Sequence, residues 1–174
     1  SIMGQIRSHY LLNNYDEAKQ KAIQLLPIEN VPKEDLVEAN MILGRIQLKD
    51  DNLRTAKSHF DYVITESRNE QTAQAIYYRA GILYSQNELE NARNDIYKLN
   101  SDFSAYEYWV VQGFILLSDI YVKEEDYFQA KATLQSILDN YENKEDGLLN
   151  TCSTKLKEIE QLEEPDSTPK IEDE

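Results

Sequence analysis

Few residues in this chain have the type and spacing to do chemistry. Its two histidines, His9 and His59, lie far apart, and neither has a second His or a Glu at the one-turn spacing that sets two metal ligands on one helix face. They read as surface or packing histidines. Asp50-Asp51-Asn52 places three oxygen-bearing side chains in a row but lacks the glycine and distal Glu of a calcium loop, so it reads as a solvated helix cap. The single Cys152 falls on an apolar stripe, where a small buried hydrophobe is a better reading than a nucleophile. There is no Gly-rich phosphate loop. Asp and Glu pairs recur along so acidic a chain mainly as exposed helix faces. No catalytic residue, metal or cofactor is expected.

The elements that would carry any site are helices. Five Gly and four Pro in 174 residues, with abundant Ala, Leu, Glu, Gln, Asn and Lys, allow long helical stretches and argue against a sheet. The length suffices for one compact domain or a short repeat array without disulfide or metal. A net charge of −14, from 18 Lys+Arg against 32 Asp+Glu, repels phosphate backbones, and no local basic cluster overturns it, so nucleic acid is not an expected partner. The most apolar stretch, Trp109 to Val122, is interrupted by Gln112, Ser118 and Asp119 and is too short to span a bilayer. One cysteine leaves the redox compartment open.

A repeat organises these helices. Ala18, Ala56, Ala92 and Ala130 are separated by 38, 36 and 38 residues. Each is followed at +4 and +7 by Ala22 and Leu25, Phe60 and Val63, Ile96 and Leu99, or Leu134 and Ile137, which puts three side chains on one helix face with the Ala at the closest approach. Ahead of each Ala lies a polar turn closed by Tyr15, Leu53, Leu89 or Tyr127, with cap-forming residues expected to end one helix and start the next. Ahead of each turn from the second unit on runs a further helical stripe: Leu36, Ala39, Asn40, Leu43, Gly44, Leu48; then Ala73, Tyr77, Ala80, Gly81, Tyr84; then Val110, Phe114, Leu117, Ser118, Tyr121. A Gly or Ser in each stripe permits close helix approach. Each unit is then a helix hairpin that buries its apolar face by stacking on the next.

Here the chain resembles the tetratricopeptide repeat family, whose helix pair carries a small residue in the first helix, an aromatic three residues on, and Ala in the second. The fourth unit matches best, through Phe114, Leu117, Ser118, Tyr121, Tyr127, Ala130, Leu134 and Ile137. The second matches through Leu43, Gly44, Leu53, Ala56, Phe60 and Val63, with Gln47 at the aromatic position. The third matches through Tyr77, Gly81, Tyr84, Ala92, Ile96 and Leu99, with a turn one residue shorter, and the first lacks most of its opening helix. The resemblance implies an all-α, right-handed solenoid of stacked antiparallel helix pairs. The segment from Ser101 through Tyr141 is also similar to repeats of bacterial cell-envelope scaffolds, which leans localisation toward the envelope.

The expected organisation is repeats over 1–146, the first incomplete and part of a longer array; a capping helix over 147–164, with Leu148, Leu149, Cys152, Leu156, Ile159 and Leu162 on one stripe; and a disordered acidic tail over 165–174. In the tetratricopeptide family the first helices line a concave groove for a peptide or protein. That implies a non-catalytic scaffold whose groove here is formed by Met41, Arg45, Leu48, Tyr78, Arg79, Ile82, Ile115 and Asp119. Glu38, Lys49, Ala75, Gln86, Gln112, Val122 and Lys123 fall on the same groove face. Arg45 and Arg79 have the geometry to clamp a carboxylate, and each can equally balance a carboxylate on an adjacent helix. The family's chaperone-tail clamp needs Asn and Lys where this chain has Ile42 and Ala75, so that ligand is not expected. Tyr77, Tyr78, Tyr106, Tyr108 and Trp109 form an aromatic concentration that reads as packing between units three and four before it reads as a binding anchor. The alternative function is a structural or oligomerising segment that stacks on another copy or on further repeats.

Overall fold

The computed structural model describes residues 1–163. Among them are nine α-helices and no strand: α1 (Ile2–Leu11), α2 (Tyr15–Leu25), α3 (Lys33–Lys49), α4 (Leu53–Glu66), α5 (Glu70–Ser85), α6 (Leu89–Asp102), α7 (Glu107–Lys123), α8 (Tyr127–Asn140) and α9 (Leu148–Glu163). The acidic segment 165–174 lies outside the described residues. The chain divides into two compact units, the first Ser1–Val110 and the second beginning at Val111.

One turn geometry, used four times, makes the helix pairs. Asn13, Asp51, Asn87 and Glu125 each adopt the left-handed conformation, with φ of 61°, 57°, 63° and 60°. The amide after each donates back to the carbonyl five residues earlier: Asn14 to His9, Asn52 to Gln47, Glu88 to Leu83 and Asp126 to Tyr121, at 2.8–2.9 Å. The left-handed residue itself donates to Tyr10, Leu48, Tyr84 or Val122 at 3.0–3.2 Å. This paired bonding satisfies carbonyls that a helix end leaves orphaned. Asn and Asp tolerate the conformation through their short polar side chains. The following residue then accepts, on its carbonyl, the amide of Ala18, Ala56, Ala92 or Ala130 at 2.9–3.0 Å. Side-chain capping, expected at every turn, operates only at the last: Asp126 accepts from the Gln129 amide at 3.0 Å, while Asn14, Asn52 and Glu88 cap through no side chain. The backbone closes these corners without it.

The repeating alanines are fully buried, and the residues at +4 and +7 are buried with them. In unit 1, α1 packs on α2, α3 on α4 and α5 on α6. Each pair stacks on the next through α2 on α3 and α4 on α5, and the first helices α1, α3 and α5 lie side by side. Met3 and Ile6 of α1, Ala18, Ala22 and Leu25 of α2, and Ala39, Leu43 and Ile46 of α3 share one core. The close approach of α3 and α4 depends on Gly44: a Cβ there would sit 2.6 Å from the ring of the fully buried Phe60.

The third pair corrects one reading of the sequence. From the left-handed residue to the repeating Ala is five residues in all four turns, so the third turn is not short. Counting back seven residues from Asp51, Asn87 and Glu125 gives Gly44, Ala80 and Ser118, all buried. The small residue of α5 is therefore Ala80. Gly81 meets no atom within 4 Å of the position a Cβ would take, so it leaves space instead of letting helices touch.

In unit 2, Val111 and Ile115 of α7 form a core with Ala130, Leu134 and Ile137 of α8 and Leu148, Cys152 and Ile159 of α9. Lys131 bridges to Glu163 and Lys155 to Asp119, tying α9 to both α8 and α7. Burial pushes the Cys152 thiol pKa up, with Lys155 opposing, which keeps it protonated and unreactive. Among the described residues no helix is long and apolar enough to cross a membrane.

Candidate partner-binding face

Because α1, α3 and α5 lie side by side, one outward strip of each contributes to a common face of unit 1. Two open hollows adjoin on it. The first, about 270 Å³, is walled by Tyr10, Tyr15, Arg45, Leu48, Lys49 and Tyr78. The second, about 390 Å³, is walled by Leu48, Asp51, Leu53, Tyr77, Tyr78, Gly81, Ile82 and Ser85. Leu48 and Tyr78 belong to both and form the partition.

The first hollow joins cations to aromatic rings. The Arg45 guanidinium sits 5.1 Å from the Tyr10 ring centroid, the Lys49 ammonium 5.2 Å from that of Tyr15, and the two tyrosine rings meet edge-on at 5.6 Å. These ring contacts orient both cations at modest energy. Among the described residues neither forms an ion pair with a carboxylate. Burial raises the Tyr10 pKa, and the Arg45 charge opposes that rise.

Aromatic stacking stiffens the partition. Tyr78 lies on Phe60 with centroids 5.3 Å apart and planes at 22°, and touches Tyr77 at 5.5 Å and Trp109 at 6.1 Å. Trp109 packs on Tyr77 at 5.7 Å and edge-on to Tyr108 at 4.9 Å, and its indole N–H donates to Glu70 at 3.2 Å. Tyr106 stands apart from this group, against Phe103 at 6.4 Å. The aromatic concentration is therefore half packing and half surface, with Tyr78 at the join.

Of the residues expected in the groove, Arg45, Leu48 and Tyr78 come together here. Ile82, though almost fully buried, also lines the second hollow, whereas Met41 lines neither: α3 is gripped by α1, α2, α4 and α5, and the Met41 side chain is buried among them. Ile115 is likewise buried, in the core of unit 2. Of the other residues expected on the groove face, Ala75 is buried, and Glu38 is held by Arg7 in a two-pronged pair. Asp119 is engaged by Lys155 at 2.5 Å within unit 2.

Arg79 is the largest departure. It stands eight residues before the left-handed Asn87, as the buried Leu43 stands before Asp51, so it points into the hairpin. There its Nε and Nη2 donate to Asp95 at 2.7 and 2.5 Å and its Nη1 to Asp61 at 2.8 Å. Burial alone would lower the Arg79 pKa, and hydrogen bonds and charge from Asp95 and Asp61 outweigh it and raise the pKa above its ordinary value. The arginine is a bolt across α4, α5 and α6. Tyr10, Tyr15 and Gly81 were missed in the sequence; the constant count from the turn residue to the Ala would have put Gly81, and not Arg79, on the outer strip.

Residues 114–143 match the family model described as Tetratricopeptide repeat, a span that takes in the end of α7, its turn and all of α8. No curated protein matches the chain. Among the described residues no cluster of His, Cys, Asp and Glu could hold a metal ion. With the family match on α7 and α8, and the same turn and helix pair recurring through α1 to α6, the all-helical fold is consistent with a repeat protein of the tetratricopeptide type.

Proposed function

We propose that the chain is a non-catalytic scaffold and that unit 1 holds a protein or peptide segment along the face of α1, α3 and α5. The observation that carries this reading is the pair of adjoining hollows, which sets Arg45, Leu48 and Tyr78 around space open to solvent in unit 1. A tetratricopeptide-type fold suggests protein interaction, and aromatic, arginine and leucine side chains on a stiff support are what a partner can bury with little loss of entropy.

The test is capture from a lysate by the chain and by two variants. Arg45→Ala with Tyr78→Ala removes the face, and Gly81→Leu fills the second hollow with no core atom nearby. Circular dichroism checks the helix content of each. Proteins retained by the native chain and lost with both variants support the reading; proteins retained equally by all three remove it.

A second reading has its own observation. Leu11 and Leu12, adjacent at the turn of the first pair, are 78% and 67% exposed, an apolar corner suited to stacking on another copy. A mass that rises with concentration and returns to the monomer value in Leu11→Ser with Leu12→Ser favours it; a constant monomer mass rules it out.

A further inference from the structure

Resting on the docking face proposed above, we infer that its occupant is a segment with an acidic residue and an apolar residue as near neighbours, the acid in the first hollow and the apolar side chain in the second. The two hollows share a wall but have opposite electrostatics. Arg45 and Lys49 put two positive charges in the first, each turned over a tyrosine ring and neither spent on a carboxylate of the described residues. Other cations of this acidic chain are held by carboxylates, as Arg79 is by Asp61 and Asp95 and Lys19 is by Asp50. An incoming carboxylate would meet an oriented pair of donors there, Arg45 half-buried and Lys49 exposed. Elsewhere the acidic surface repels it.

The second hollow offers no cation. Asp51 stands on its rim and excludes an acid, and the bare backbone of Gly81 leaves room that Leu48, Tyr77 and Tyr78 enclose. That room suits an aliphatic or aromatic side chain. Because Leu48 and Tyr78 separate the hollows by no more than their own thickness, one extended segment reaches both. The order of charges on the face therefore specifies the order of side chains on the ligand.

A library of short random peptides, displayed on phage and selected on the immobilised chain, tests this directly. Sequences pairing Asp or Glu with a nearby Leu, Ile, Phe or Met are expected to enrich. A synthetic peptide of the consensus should weaken about fivefold or more on Arg45→Gln with Lys49→Gln, an effect that shrinks as salt rises. On Gly81→Leu the same peptide should weaken about tenfold without added salt dependence. If the enriched peptides are lost with Tyr78→Ala yet show no acidic–apolar pairing, this inference falls while the docking face stands. If they bind all the variants equally, the docking face falls with it.

Discussion

The second and third helix pairs are built on one skeleton and filled with different chemistry. Where α3 buries Leu43, α5 carries Arg79. Where α4 places His59, with its Nδ1 2.8 Å from the Asn40 Oδ1, α6 places Asp95, which takes two bonds from Arg79. On the outer strip the contrast reverses, since α3 shows a cation at Arg45 and α5 shows the bare backbone of Gly81. The second pair therefore joins its helices with Leu43 and the His59–Asn40 contact, without an ion pair at these positions, and carries its charge outside. The third buries its charge and leaves its outside open. A repeat fixes the backbone and the alanine contact, and each unit is free to decide which of its faces is ionic.

That comparison breaks first at Arg79. Arg79→Ala leaves Asp95 without its counter-charge and should cost about 2–3 kcal/mol, toward the low end for a buried pair because Asp61 is partly open to water. The urea midpoint reads this. Arg79→Leu with Asp95→Leu replaces the ion pair with hydrocarbon, matching Leu43 of the second pair at the first position, and should regain most of the loss. If the double variant is as unstable as the single, the arginine is doing something other than neutralising buried carboxylates.

The glycines come next and have opposite signs. Gly44→Ala drives a methyl into the Phe60 ring and should destabilise by about 1–2 kcal/mol, even after the better helix propensity of alanine is credited. Gly81→Ala meets nothing and should stabilise by about 0.5–1 kcal/mol. Two thermal melts decide the matter, and equal signs would mean that α3 and α5 do not differ as described.

The smallest effect belongs to His59. Burial lowers its pKa below the ordinary 6.5, so the unfolded chain accepts a proton that the folded pair resists. The resulting stability is intact above 6.5, falls as pH drops below it, and levels off once the folded His59 is itself protonated. Urea midpoints from neutral to mildly acidic pH should show this component in the native chain and not in His59→Asn. A profile identical in both would remove His59 from the account.

How far the sequence could be read follows from the same contrast. The second helices were legible because alanine at a helix crossing tolerates almost no substitute, and Ala18, Ala56, Ala92 and Ala130 are all fully buried. The first helices were less so. With Ala80 and Gly81 adjacent, either can serve as the small residue, and choosing the glycine turns Arg79 outward and Gly81 inward, the reverse of what the structure has. Met41 was misplaced for a second reason: a helix gripped by four neighbours shows less of itself than one flanked by two. The turns gave up their geometry only with the backbone in view, since an Asn, Asp or Glu in the left-handed conformation looks in sequence like any polar cap.

The central claim is that partners meet unit 1 on the strip shared by α1, α3 and α5. A photo-cross-linking side chain placed at Gly81, inside the second hollow, tests it against the same group at Thr55, exposed on α4. The account predicts covalent capture of a protein from Gly81 and none from Thr55. Capture from Thr55 alone would contradict it and move the docking surface to the second helices.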